Sequence, residues 1–180
     1  WWRRHGFIEV DREGTSLTLA RQLPVRLAAP TAEDTQAVGR RLASVVRAGD
    51  VIIASGDLGA GKTTLTQGLG SGLAVAGAII SPTFVLSRVH PSTVGGPALV
   101  HVDAYRLGSF AELEDLDLEV SLDDSVTLVE WGAGIAEGLA DDYLEVDIRR
   151  SLDPEDDTRW IFLTPIGERW TAARPDLEAL

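Results

Sequence analysis

Residues Gly56-Asp57-Leu58-Gly59-Ala60-Gly61-Lys62-Thr63 spell out G-x-x-x-x-G-K-S/T in full. No other stretch restricts the fold as strongly, because the motif functions only between a strand and a helix. Its glycines let backbone N–H groups wrap phosphate oxygens without Cβ clashes, and the start of the next helix adds a favourable dipole. Both neighbours are present. Val51-Ile52-Ile53-Ala54 is a short apolar run, as expected of a strand covered on both faces. A helix is predicted from the loop to about Leu73; Gly68, Gly70 and Gly72 each cost about 1 kcal/mol against alanine, so its far end is expected to fray or stop early. Gly56, Gly59, Ala60, Gly61, Lys62, Thr63 and Thr64 are therefore candidate nucleotide-binding residues. Lys62 is placed to reach the β- and γ-phosphates, and the Thr63 hydroxyl to hold magnesium.

Composition sharpens this reading. Of 16 basic residues, Lys62 is the sole lysine. A chain that uses arginine everywhere else keeps one compact ammonium, and arginine cannot replace it between phosphates. Guanine-specific switch proteins read the base through an Asn-Lys-x-Asp element, which has no lysine left to form it here; ATP is the expected nucleotide. Cysteine is absent, which excludes disulfides, thiol catalysis and thiolate metal sites. Three scattered histidines (His5, His90, His101) argue against a zinc cluster. The longest uncharged apolar run, Leu73 to Ile80, is far short of the roughly 18 residues that span a bilayer. No leader-like segment is read, and a cytoplasmic location is expected. A net charge of −12 makes the chain a poor stand-alone binder of RNA or DNA. Either it reaches nucleic acid through a basic protein partner, or the acidity serves solubility.

The rest of the chain reads as α/β. Thr31 to Asp34 forms a capping box, after which Val38, Leu42, Val45 and Val46 share one helical face up to Gly49. Strands are expected near Ala78–Ile80, Phe84–Arg88, Ala98–Val102, Ser125–Val129, Tyr143–Ile148 and Trp160–Thr164. A short helix is expected from Ser109, with Glu112 completing a second capping box. The expected organisation is a hairpin segment at residues 1–27, an ATPase domain at 28–174 and a loose tail at 175–180. In the first segment, Phe7–Val10 and Ser16–Ala20 flank a polar turn at Asp11–Gly14. Trp2 to Val10 resembles the end of acetyl-CoA-dependent N-acetyltransferase domains. The glycine-rich pyrophosphate loop of that family is missing, so no such activity is expected. The alternative is an edge hairpin of the main domain.

Two carboxylates end apolar strands, where ligand sites of open α/β sheets gather. Asp103 follows Leu99-Val100-His101-Val102, and Glu130 follows Val126-Thr127-Leu128-Val129. Each is a candidate to hold magnesium or orient an attacking water, and the alternative for either is a strand-end cap.

Gly56 to Thr64, Ser81-Pro82-Thr83-Phe84, His101-Val102-Asp103-Ala104-Tyr105-Arg106-Leu107 and Val129-Glu130-Trp131 occur in that order. Together they resemble the TsaE family, small bacterial P-loop ATPases required for threonylcarbamoyladenosine modification of tRNA. The resemblance implies a three-layer P-loop fold with a mixed, largely parallel sheet. It implies a Mg2+-dependent ATPase acting as a nucleotide-driven switch on the TsaD–TsaB transferase complex, meeting tRNA only indirectly and neither DNA nor membrane. It further implies that Gly59 to Thr64 bind phosphates, that Thr63 and Glu130 hold the metal, and that Asp103 assists at the metal or water. Thr83 would sense the γ-phosphate. Arg159 matches a family arginine near the nucleotide, or else is a solvated strand arginine. Trp131 lines the partner face or fills core, and His101 is expected to pack beside its strand. His90, Ala104 and Ala133 depart from common family residues. The competing functions are a small-molecule kinase, with Arg149-Arg150 in a lid, and a nucleotide-gated binding module without hydrolysis.

Overall fold

The computed structural model describes residues 7–180. Strands β1 (Phe7–Glu13) and β2 (Ser16–Arg21) pair antiparallel as a two-stranded sheet of their own. The chain continues through β3 (Val25–Ala29), α1 (Ala32–Leu42), β4 (Val51–Ser55) and α2 (Lys62–Gly72). Then come β5 (Ser87–His90), β6 (Ala98–Asp103), α3 (Phe110–Glu114), α4 (Glu119–Leu122) and β7 (Ser125–Glu130). A 3-10 turn at Ala136–Gly138 leads to β8 (Tyr143–Arg150), β9 (Arg159–Ile166), α5 (Gly167–Ala172) and α6 (Arg174–Glu178). Trp2 to Gly6 of the acetyltransferase-like stretch lie outside the described residues. Among the described residues, no helix is long and apolar enough to cross a membrane.

The main sheet has seven strands in the order β3-β9-β8-β4-β7-β6-β5. Its four central strands, β8, β4, β7 and β6, run parallel, while β3, β9 and β5 are antiparallel to their neighbours. Burial on both faces explains the apolar run of β4 and the mostly apolar β7, every residue of which is buried. On one face Val38, Leu42, Leu65 and Leu69 of α1 and α2 pack on Ile52, Leu128 and Val146. On the other, Leu113, Leu118 and Ala136 cover Ile53, Val102 and Val129. Each such side chain contributes about 1.5–3 kcal/mol through burial. The result is the expected three-layer P-loop arrangement.

Several local expectations are corrected. Helix α1 has its capping box, with Thr31 Oγ1 accepting from Asp34 N–H and Asp34 Oδ2 accepting from Thr31 N–H, but it ends at Leu42 rather than near Gly49. Val45 and Val46 continue in turns that still pack on the core, so the apolar spacing outlasts the helix. Helix α2 does not fray early. A Cβ on Gly68 would collide with the Gln36 carbonyl, and one on Gly39 with that of Leu65. Gly68 of α2 and Gly39 of α1 let the two helix backbones touch, and that packing offsets their poor propensity.

Ala78–Ile80 forms no strand; the Gln67 amide donates to Ile79 O where a strand partner would. The strand expected at Phe84–Arg88 starts only at Ser87, because Val85 and Leu86 N–H groups fold back onto Pro82 O. At Ser109 the helix cap forms, but the Glu112 carboxylate reaches Gly108 N–H instead of closing a box. The expected boundary at residue 27 falls inside β3, whose Val25 to Ala29 pair with β9. The expected loose tail is helix α6, anchored by fully buried Leu177. Arg174 Nη1 also donates to Leu23 O, tying this end to the segment after the hairpin.

Candidate functional site

The site is assembled where β4, β6 and β7 end. From Ser55 the chain turns through Gly56 to Gly61 into α2, and Gly61 takes φ 115°, a left-handed conformation that side chains resist. Gly61 caps α2 with no side-chain hydrogen bond. The first amides of the helix are thus left to an anion.

Lys62 follows, nearly buried. Its Nζ donates to Gly56 O at 2.6 Å and Asp57 O at 3.1 Å, and lies 3.8 Å from the centroid of the Trp131 ring. Desolvation lowers its pKa from the ordinary lysine value, against the opposing pull of Glu130, Asp103 and Asp57. Thr63 Oγ1 donates to Glu130 Oε1 at 2.8 Å. The loop and the end of β7 are thereby tied through one hydroxyl.

Asp103 and Glu130 stand opposite each other in the parallel β6–β7 ladder, and both are buried. Asp103 Oδ2 accepts from Ser81 Oγ at 2.8 Å and Thr83 Oγ1 at 2.5 Å, while its Oδ1 accepts from Tyr105 N–H. The Ser81-Pro82-Thr83 loop is therefore latched to the strand end by its hydroxyls. Lys62, Thr63, Thr83, Asp103 and Glu130 line one cleft of about 410 Å³, with Gly59, Gly61 and Thr64.

Arg159 is on the other side of the loop. It shares a second cleft, about 370 Å³, with Thr31, Thr35, Gly59, Ala60, Gly61 and Thr64, and donates to Asp157 O. Gly56 faces a larger hollow of about 950 Å³ on the β8–β9 surface, between Arg26, Arg149, Trp160 and Phe162. That hollow includes neither Asp103 nor Glu130, so its size does not make it the site. Arg149 and Arg150 are the last residues of β8, and Arg150 donates to Leu58 O. They belong to the sheet and not to a lid. Trp131 is half-buried and does not simply fill core: it covers Lys62 and lies 5.2 Å from the Tyr105 ring.

His101 packs on its strand as expected, but sequence reasoning missed its partner. It does more than pack beside its strand: Nε2 is 2.8 Å from Glu130 Oε1, and both side chains are buried. Its position two residues before Asp103 puts it on the same face of β6, a signal readable only once Glu130 is known to be the neighbour. Ser81 and Tyr105 join the site through Asp103 for the same reason.

The donor set suits magnesium. One hydroxyl and two carboxylates are hard oxygen donors, and Mg2+ is ordinarily held by one or two carboxylates plus substrate phosphates. Among the described residues, no three His, Asp or Glu side chains group as a metal cage of their own.

Residues 29–159 match the family described as threonylcarbamoyl adenosine biosynthesis protein TsaE. The chain is 59% identical over 138 residues to the Streptomyces coelicolor tRNA threonylcarbamoyladenosine biosynthesis protein TsaE, covering 76% of this chain and 93% of that protein. The Bacillus subtilis protein of the same name is 39% identical over 139 residues, covering 77% and 84% respectively. The crystal structure of Bacillus YdiB superposes with a TM-score of 0.73 at 29% identity, over 89% of this chain and 98% of that one.

Proposed function

The chain belongs to the TsaE family of tRNA threonylcarbamoyladenosine biosynthesis proteins, and on that premise we propose that it is a Mg2+-dependent ATPase switching the TsaD–TsaB transferase complex. The observation that carries the reading is the bond from Thr63, in the first turn after the phosphate loop, to Glu130 at the end of β7. A hydroxyl and a carboxylate so joined are what a metal–nucleotide site requires. The clefts on the two sides of the loop have room for the phosphates beside Glu130 and for the base and ribose beside Thr31 and Arg159.

Thr63, Glu130 and Asp103 would hold magnesium, which would supply positive charge against the phosphate oxygens. The chain's own groups do the remainder. The amides from Gly59 to Thr64 hold phosphate oxygens, and Lys62 exchanges Gly56 O and Asp57 O for the β- and γ-phosphates. Glu130 orients the attacking water. Thr83, which donates to Asp103, reports the γ-phosphate by changing partner. With a net charge of −12, the chain meets tRNA only through TsaD and TsaB, in the cytoplasm, with no part for DNA or a membrane.

Calorimetry with ATP and Mg2+, followed by phosphate release, tests the first half. Binding in the wild type and its loss in Lys62→Ala are expected, and a wild-type chain that binds no ATP overturns the reading. Binding without turnover leaves a nucleotide-gated module. Pull-down on TsaD–TsaB with a non-hydrolysable ATP analogue, with ADP and without nucleotide tests the second half: retention should be greatest with the analogue, and equal retention in all three sinks the switch.

A further inference from the structure

We propose that His101 is a positioning residue for Glu130: its Nε2–H holds Oε1 and so fixes the orientation of a carboxylate that lines the cleft. The inference rests on the ATPase reading above. His101 is fully buried on β6, on the face that carries Asp103, and Asp103 is the register partner of Glu130. The imidazole is buried and, unlike Asp103 and Glu130, is not among the residues that line the cleft.

An ionised carboxylate only accepts, so a 2.8 Å contact assigns the imidazole proton to Nε2. Thr63 Oγ1 donates to the same oxygen at 2.8 Å. Two donors fill the two lone pairs of Oε1, whereas Oε2 has no hydrogen bond among the described residues. A carboxylate gripped at one oxygen cannot rotate to exchange its two oxygens. The pair is thus oriented before any nucleotide arrives, which is how preorganised sites avoid reorganisation during reaction.

A core-filling role does not account for this ring. Among the described residues His101 Nδ1 is buried without a partner, so the side chain carries a desolvation cost that leucine would avoid. Among the described residues, its one hydrogen bond is to Glu130. Residues that orient a metal-binding or catalytic carboxylate in this way typically affect affinity or rate by about 10–100-fold.

The first test needs no substitution. In the ligand-free full chain labelled with 15N-histidine, NMR should find His101 with Nε2 protonated and Nδ1 bare; a proton on Nδ1 with Nε2 bare overturns the proposal. The second test compares His101→Leu with His101→Gln, whose amide N–H sits at the same reach as Nε2. His101→Leu should lower kcat about 10–100-fold while leaving ATP affinity in EDTA within about twofold of wild type. His101→Gln should recover most of the rate. A folded His101→Leu that turns over within about twofold of wild type overturns the proposal. Should that variant not fold, the tautomer decides. A wild-type chain that releases no phosphate counts against the ATPase reading and leaves the tautomer test in force.

Discussion

Lys62 and Trp131 are in contact: the ammonium lies 3.8 Å from the centre of the indole. A cation over an indole, partly removed from water, is worth about 1–2 kcal/mol. Trp131 reaches this place with φ 60°, a conformation that bulky residues rarely adopt. Holding it there costs on the order of 1–3 kcal/mol. The contact with Lys62 thus offsets a backbone cost of similar size at Trp131.

ATP with Mg2+ should consequently alter tryptophan emission as the ammonium leaves the ring. Trp131→Phe should remove most of that change and Trp160→Phe little of it, as measured by fluorescence titration. An undiminished signal in Trp131→Phe would show that Lys62 keeps its place when nucleotide binds.

Glu130→Gln keeps the shape of the side chain but removes the charge to which the proposed function assigns the attacking water. The expected outcome is a fall in phosphate-release kcat of about 10²–10³-fold, with ATP affinity changed by only a few-fold. Calorimetry and single-turnover kinetics separate the two quantities. A parallel loss in both would assign Glu130 to ground-state binding alone.

Gly68→Ala should destabilise the fold by about 1–3 kcal/mol, although alanine is the better helix former by about 1 kcal/mol. The added Cβ meets the Gln36 carbonyl, which is backbone and cannot swing aside. Urea unfolding measures the sign. A stabilised variant would mean that α1 and α2 separate at little cost.

His90 should make stability fall in acid. It is buried on β5, with Nδ1 3.2 Å from Ala76 O, and burial lowers its pKa below the ordinary 6.5. The unfolded chain therefore takes up a proton first as pH drops through about 6.5. The stability that neutral His90 provides is complete above that value and is lost progressively below it. The slope reaches at most about 1.4 kcal/mol per pH unit. Unfolding curves between pH 5 and 7 on wild type and His90→Phe test this as a difference in slope, where the variant should be flatter.

Much of the scaffold could be read from local pattern. The phosphate loop, the apolar runs of β4, β6 and β7, and the Thr31 cap each announce themselves within a few residues. What could not be read depends on a second segment. Gly68 looks like a weak point in a helix until Gln36 is set against it. Leu177 looks like a stray tail residue until it is buried with Trp170 and Ala173. His101 looks like a buried ring until strand register brings it to Glu130. Val45 and Val46 mislead for a different reason: apolar spacing reports burial, and burial persists after α1 has ended.

Strand order has a bearing on how the protein is made. β4 carries the loop at its end, yet both its neighbours, β7 at residues 125–130 and β8 at residues 143–150, are synthesised long after it. On the ribosome, Val51 to Ala54 must wait unpaired while the intervening chain emerges, a window in which an apolar strand edge is open to wrong partners. Closing such distant contacts is slow, because the chain entropy is lost before the sheet repays it. The Thr63–Glu130 bond can form only after β7 has inserted beside β4. A nascent chain arrested before residue 125 would thus display the full phosphate-loop sequence without the carboxylate of β7.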